Sequence, residues 1–321
     1  MPPVRRLAKA FRAYSAWYAF VIPPLLLIAV FTFWPTLLTF YRAFFRRSGR
    51  DEEFVGLFQF GRLFSVSGGF WNALGNTVFL GIFFLCIVIP LATILASMLN
   101  RVRRGSTTLK VIYFLPQLTS SVAVALMFNY VFQPDWGLLN GVLRQFGIEK
   151  LPLWLSDPRY GLTGSRAAVT ILAVWAGLGY FILVLLAGLQ SIPSDQYDAA
   201  AIDGASPFKT WWHITLPSLR PTFVFLIMTG TVDALSRFSD LFTLGGPGGS
   251  PTRSLQSIVM LMYQTGFESG DVYYAAAIAV VFTLIVLAVT VASFIGLLGK
   301  EFSEKRSRRT HSASTQTGTP K

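Results

Sequence analysis

The chain of 321 residues contains one cysteine, Cys86, and two histidines, His213 and His311. One cysteine cannot form an internal disulfide. Two isolated histidines give no zinc-type ligand set, so no metal site is expected. No Gly-x-x-x-x-Gly-Lys-Ser/Thr segment is present to cradle nucleotide phosphates. Charge is scarce as well. Asp, Glu, Lys and Arg make up 13% of the residues, against about 25% in soluble domains. Acids are the scarcer sign, 15 against 27 Lys and Arg, which leaves a net charge of +12. The residues show no chemistry of their own, so neither an enzyme nor a cofactor held by this chain is expected.

What is abundant is apolar sequence. Hydrophobic residues make up 53% and the mean hydropathy is +0.55. Six runs are each long enough to cross a bilayer at ~1.5 Å per residue: residues 18–41, 72–98, 110–132, 167–190, 218–237 and 273–298. The expected fold class is an all-α polytopic membrane protein. Pro23, Pro24, Pro35, Pro90 and Pro116 fall inside these runs, which membrane helices tolerate where neighbours satisfy the freed carbonyls. Cys86 lies mid-run and reads as a small packing residue. The first run ends in Tyr41-Arg42 with no small-residue cleavage pattern behind it, and reads as a retained span.

Basic residues suggest the orientation. Arg5, Arg6, Lys9 and Arg12 precede the first run; Arg101, Arg103, Arg104 and Lys110 follow the second; Lys300, Lys305, Arg306, Arg308 and Arg309 follow the last. They favour both termini, and the 193–217 connection, in the cytoplasm. Arg42, Arg46, Arg47 and Arg50 lie beyond the first run and count against it. The basic excess suits anionic membrane lipid. No basic patch interleaves with aromatics on a polar domain, so no nucleic acid is expected. The chain divides into a tail 1–17, a membrane domain 18–302, and a Ser-, Thr- and Arg-rich tail 303–321 expected to be disordered.

Residues 193–217 are polar, between two apolar runs, and carry more helix punctuation than a connector needs. Ser194 is placed to cap a helix beginning at Asp195. Asp198, Ala199, Ala200, Ala201 and Ile202 continue it, and past Asp203 Gly204 suits the left-handed turn that ends it. After Ala205, Ser206 is placed to cap a second helix with Pro207 at its first position. That helix runs through Phe208, Trp211, Trp212 and Ile214, and Leu216-Pro217 leads into the next apolar run. Two short helices meeting at a glycine, with small alanines that let another backbone come close, suit a surface gripped by another protein. An ordinary amphipathic connector is the alternative.

The stretch resembles the EAA loop of permease subunits in bacterial ATP-binding-cassette importers. That pattern reads Glu-Ala-Ala, three residues, Gly, then nine residues to Ile-x-Leu-Pro. Here Asp198-Ala199-Ala200, Gly204 and Ile214-Thr215-Leu216-Pro217 keep the spacing, with Asp198 in place of the usual Glu. Further stretches resemble the sugar-type branch, near maltose and glycerol-phosphate importers: Asn76-Thr77, Phe114-Leu115-Pro116, Pro134-Asp135-Trp136-Gly137-Leu138-Leu139-Asn140, Trp175 with Gly177 and Gly179, Ala187 to Pro193, and Thr243-Leu244-Gly245-Gly246-Pro247-Gly248. They occur in the family's order over roughly residues 18 to 300. Tyr274, where glycine is common, and the surroundings of Arg237 and Asp240 depart from it. The resemblance implies six helices of the type I importer permease architecture in a bacterial inner membrane. It implies a second, homologous permease, a dimeric ATPase that binds ATP and Mg, and an extracytoplasmic solute-binding protein. It assigns ATPase coupling to Asp198, Ala199, Ala200, Asp203, Gly204, Ala205, Trp211, Ile214, Leu216 and Pro217.

Polar residues in the runs are candidates for the solute path. Asp233 and Arg237, four apart, can pair on one helix face, as path-lining groups or as a structural ion pair against another subunit. Asn129, Tyr130, Trp175 and Tyr180 are further candidates, since sugar sites combine ring faces with a few polar groups; packing is the alternative for each. Trp136, Trp154 and Tyr160 read as interfacial anchors. The Gly-Gly-Pro turn after residue 243 reads as a contact for the solute-binding protein or as a plain connector. Three other readings stand beside the sugar importer: an ion-gradient-driven transporter, for which one clear intramembrane acid is little; a non-transport membrane scaffold, which leaves the ordered 193–217 loop and the Gly-Gly-Pro turn without a joint explanation; and an importer of a non-sugar solute.

Overall fold

In this computed structural model the described residues are 18–65, 69–102, 105–157 and 164–316, with side chains up to Ile295. Expectations for the tail 1–17, for Arg103, Arg104 and Tyr160, and for 317–321 lie outside them.

Helix α1, Tyr18–Arg42, contains a wide π turn at Ala29–Phe33. Strands β1, Phe45–Ser48, and β2, Asp51–Phe54, form an antiparallel hairpin. Then come α2 (Phe58–Phe64), α3 (Phe70–Asn100), α4 (Ser106–Leu118), α5 (Ser121–Val131) and α6 (Leu138–Gln145). Helix α7 spans Ser165–Gln190, α8 Ser194–Ile202, α9 Pro207–Thr210 and α10 Arg220–Leu235. Helices α11 (Ser239–Gly245) and α12 (Ile258–Tyr263) precede a π turn at Gln264–Glu268 and the last helix, α13, Val272–Gln316.

The fold is helical as expected, with one short hairpin added to it. Gly49, at φ +62, and Arg50 make its two-residue turn, and Arg46 opposite Glu53 closes a cross-strand pair at 2.8 Å. Among the described residues four helices are long and apolar enough to cross a membrane, Tyr18–Arg42, Phe70–Asn100, Ser165–Gln190 and Val272–Ile295, or five if one bent pair is a single span. The run expected as one span over 110–132 is instead α4 and α5, bent by 97°. The break falls at Thr119 and Ser120, both with extended ψ, just after Pro116 has removed a backbone donor. The run expected over 218–237 is α10, 16 residues long, about 24 Å of helix. Helix α13 continues through 303–316, where disorder was expected. Glu301 precedes Lys305 by four residues, Glu304 precedes Arg308 by four, and neither Gly nor Pro interrupts 300–316, all favourable to helix. Cys86 is exposed rather than packed.

The described residues fall into two compact units, 18–65 with 265–281 and 69–264 with 282–316. In the first, Ala43, Ala276, Ala277 and Val280 pack with Phe40, Phe44 and Phe60. Arg62 pairs with Asp271 at 2.6 Å and lies 4.1 Å over the Tyr274 ring. In the second, α3, α7 and α10 share a core that includes Phe84, Val88, Phe181, Ile182, Leu185 and Leu226. Lipid tails are as apolar as leucine, so these helices associate through close packing and polar bonds rather than escape from water. Glycines supply the closeness. A Cβ on Gly179 of α7 would stand 2.1 Å from the Tyr113 carbonyl of α4, and one on Gly230 of α10 would stand 2.8 Å from Leu85 of α3.

Buried polar groups fix the connections in the second unit. Asn76 Oδ1 accepts from Arg166 Nη2 at 2.8 Å, while its Nδ2 donates to the carbonyls of Arg253 and Gln256 at 2.7 and 3.1 Å. Thr77 Oγ1 accepts from Ile258 N at 3.0 Å. The Gly-Gly-Pro turn is held by Ser250 N to Gly245 O at 2.7 Å and Leu255 N to Gly249 O at 3.1 Å. Asn140, fully buried, donates to the carbonyls of Pro134 and Pro152 and accepts from Trp154 Nε1 at 2.7 Å. Trp154 is therefore a buried hydrogen-bonded ring, not an interfacial anchor, whereas Trp136 is 63% exposed.

Candidate functional site

The 193–217 stretch is built as two short helices around a glycine. Gly204, at φ +68, donates to Ala201 O at 3.1 Å, and Ala205 N donates to Ala200 O at 2.9 Å. These paired bonds close a helix on a left-handed residue. Ser206 caps the second helix, its Oγ accepting from Lys209 N at 3.4 Å with Pro207 at the first turn. Ser194 does not cap. It is the first helical residue, and Pro193 holds the cap position with no side-chain bond. The second helix is not α throughout: α9 passes into a π turn, Trp211–Thr215, and then Leu216–Ser218. Pro217 removes the donor that would serve the His213 carbonyl, and the ladder widens just before it.

One side of this element is open and the other is tied down. Asp198, Ala199, Asp203, Gly204 and Pro217 are exposed, as is Ile202; Ala200 is buried, and Ala205, Trp211, Ile214 and Leu216 are half-buried. Trp211 Nε1 donates to Ser97 Oγ at 3.0 Å, and Ser97 Oγ donates to Thr93 O at 2.7 Å within α3. Tyr197 Oη and Thr215 Oγ1 lie 3.2 Å apart, joining α8 to the π turn. A cavity of about 410 Å³ lies behind, lined by Asn100, Arg101, Leu189, Tyr197, Ala205 and Trp211 among others. Sequence reading misses Ser97, Tyr197 and Thr215. Ser97 sits 114 residues from Trp211, and no local pattern marks it.

The second region is a polar cavity of about 240 Å³ at the α4–α5 break. Asp233 and Arg237 line it with Gln117, Thr119, Ser121 and Asp240. The expected pairing of Asp233 with Arg237 along one helix is corrected. Helix α10 ends at Leu235, so Arg237 lies beyond it and forms its ion pair with Asp240, both side chains 11% exposed. The other expected path residues lie elsewhere. Asn129 accepts from Gln133 Nε2 at 3.1 Å. Tyr130 is exposed, its ring 5.7 Å from Trp136. Trp175 lines a separate, apolar cavity with Phe79, Phe83 and Ile171. Tyr180 packs against the α3–α7 core. Among the described residues no group of His, Cys, Asp and Glu could hold a metal ion.

Comparison with known proteins agrees with this arrangement. Residues 88–304 match the family described as binding-protein-dependent transport system inner membrane component. The sn-glycerol-3-phosphate transport system permease protein UgpA of Agrobacterium fabrum is 32% identical, covering 90% of this chain and 94% of its own. The lactose transport system permease protein LacF of Rhizobium radiobacter is 32% identical, over 91% and 95%. The multiple sugar-binding transport system permease protein MsmF of Streptococcus mutans is 32% identical, over 89% and 96%. Among solved structures, a bacterial ABC transporter for the acidic polysaccharide alginate shares the fold, with a TM-score of 0.79 at 24% identity over 91% of this chain and 98% of its own. A family match over more than half of the chain, together with these relatives over most of its length, shows that the chain belongs to the inner membrane components of binding-protein-dependent transport systems.

Proposed function

We propose that this chain is a permease subunit of an ATP-driven importer for a sugar or a sugar-like polyol, and that its 193–217 element couples it to an ATPase. The exposed face of that element carries the reading. Asp198, Ala199, Asp203 and Gly204 are open to a partner, while the same element is stiffened by the Gly204 closure and tied to α3 through Trp211 and Ser97. A lever must be rigid within itself and fastened to what it moves; these bonds supply both. A second, homologous permease encloses the path with this chain. Two ATPase subunits hold ATP and Mg, and a solute-binding protein delivers the solute at the opposite face. ATP-driven closure of the ATPases pushes the element and opens the path outward; hydrolysis resets it. The chain lies in a bacterial inner membrane with both termini in the cytoplasm.

The sugar class draws on the relatives' solutes and on the cavity beside Asp233. Its hydroxyl, amide and charged groups suit a solute rich in hydroxyls. Tyr130 and Trp175 are exposed but do not line that cavity; Asn129 and Tyr180 have internal partners and act in packing.

Purification of the tagged chain from its own membranes tests the assembly, with a second permease and an ATPase expected in stoichiometric amounts. Gly204→Pro tests the coupling. It locks φ near −65° and deletes the N–H that bonds Ala201, so solute-stimulated ATP hydrolysis should fall at least tenfold while membrane insertion stays normal. Undiminished transport by that variant would remove the coupling role from this element. Recovery of the chain alone, under conditions that keep a known importer intact, would replace the importer by a self-sufficient transporter.

A further inference from the structure

A further polar cavity, of about 250 Å³, belongs to neither site. Arg42, Arg47, Arg50, Asp51, Glu52 and Tyr273 line it. They come from the end of α1, the β-hairpin and the start of α13, all within one compact unit. The hairpin's remaining arginine, Arg46, is neutralised by Glu53. Glu52 accepts from the Tyr273 hydroxyl at 2.7 Å, and Arg47 Nε donates to Gly49 O at 3.3 Å. Arg42 Nε is shut off from solvent with no hydrogen-bond partner. Among the described residues, neither Arg42 nor Arg50 is engaged in an ion pair.

Three guanidinium groups thus face two carboxylates, which leaves one formal positive charge in the cavity. The planar arginine fork matches the oxygens of a phosphate. Arg42 is also the last residue of an apolar helix of spanning length, so the cavity opens at the depth where lipid headgroups lie. We propose that it binds one phosphate group at the membrane surface, carried by a lipid headgroup or by a soluble phosphate ester. A phosphodiester bears a single negative charge and neutralises the cavity's single excess, which favours the lipid. The assignment does not depend on the identity of the transported solute.

The full-length chain is titrated with phosphatidylglycerol and, separately, with glycerol phosphate, and bound copies are read by native mass spectrometry. The triple variant Arg42→Gln, Arg47→Gln, Arg50→Gln is set beside a control that removes equal charge, Arg5→Gln, Arg6→Gln, Lys9→Gln. At least tenfold weaker lipid binding in the first and not the second is expected and assigns the headgroup. The same loss confined to glycerol phosphate assigns a soluble ester. Equal binding of both probes by all three proteins overturns the proposal. Phenylglyoxal footprinting of the unmutated chain guards against a misfolded variant. Either probe should slow modification of Arg42, Arg47 and Arg50 at least fivefold, and no protection by either rejects the site.

Discussion

At the residue scale, the positions that matter most in this chain are those where an atom has no room to be replaced. Gly249 combines φ +66 with a backbone approach so close that an added Cβ would stand 2.3 Å from Gln256 N. That nitrogen cannot easily yield, because the Gln256 carbonyl is bonded by Asn76. Gly249→Ala therefore carries the left-handed penalty of about 1–2 kcal/mol plus a backbone displacement. The purified protein should melt several degrees lower in a scanning fluorescence experiment. Asn140→Ala removes three bonds at once and strands the buried Trp154 Nε1. A stranded buried donor costs about 1–3 kcal/mol, so Asn140→Ala should also lower the melting temperature. Adding Trp154→Phe, which removes the stranded donor, should recover part of the loss. Strict additivity of the two changes would show that the bond carries no energy.

At the scale of elements, the glycine closure and second cap of 194–217 are legible in the sequence because each step is local: a helix closes within a few residues on Gly204 and restarts on Ser206, whereas the first cap falls on Pro193 rather than Ser194. The motif around Asn140 is visible in the same way, although its reason, a buried carboxamide tying two proline carbonyls, is not. What escapes the sequence is long-range or geometric. Pro116 is plain to see, yet the 97° break lies beyond it, at Thr119 and Ser120. The Asn76 bonds reach across 177 and 180 residues, and nothing near Asn76 announces them. Arg237 looks like a helical neighbour of Asp233 until the helix ends two residues too soon. The packing of α4 on α7 gives a test with opposite signs. A Cβ on Gly179 collides with the Tyr113 carbonyl, whereas one on Gly75, in α3, meets nothing within 4 Å. Gly179→Ala should destabilise, and Gly75→Ala should be neutral or stabilise by up to about 1 kcal/mol, since alanine is the better helix former. Comparable losses in thermal melts of the two variants would contradict the close α4–α7 packing.

For the whole molecule, the order of crossings has one sharp consequence. The proposed arrangement puts Asp203 in the cytoplasm and Trp136 outside, and both are exposed. In a Cys86→Ser background, Asp203→Cys should react with an impermeant maleimide only in inverted vesicles and Trp136→Cys only in right-side-out ones. Labelling of both from one side would reverse the proposed topology. The wide π turns, at Ala29–Phe33, Trp211–Thr215 and Gln264–Glu268, bear on how such a chain can change over generations. A π turn holds one residue more than an α turn. Losing one residue there lets the ladder revert to α without rotating the faces of the helix beyond it. A deletion in mid-span elsewhere would swing every following side chain by about 100°. Of these turns, Ala29–Phe33 lies within a helix of spanning length, and it is there that the length of the span is free to drift by one while the faces it presents stay fixed.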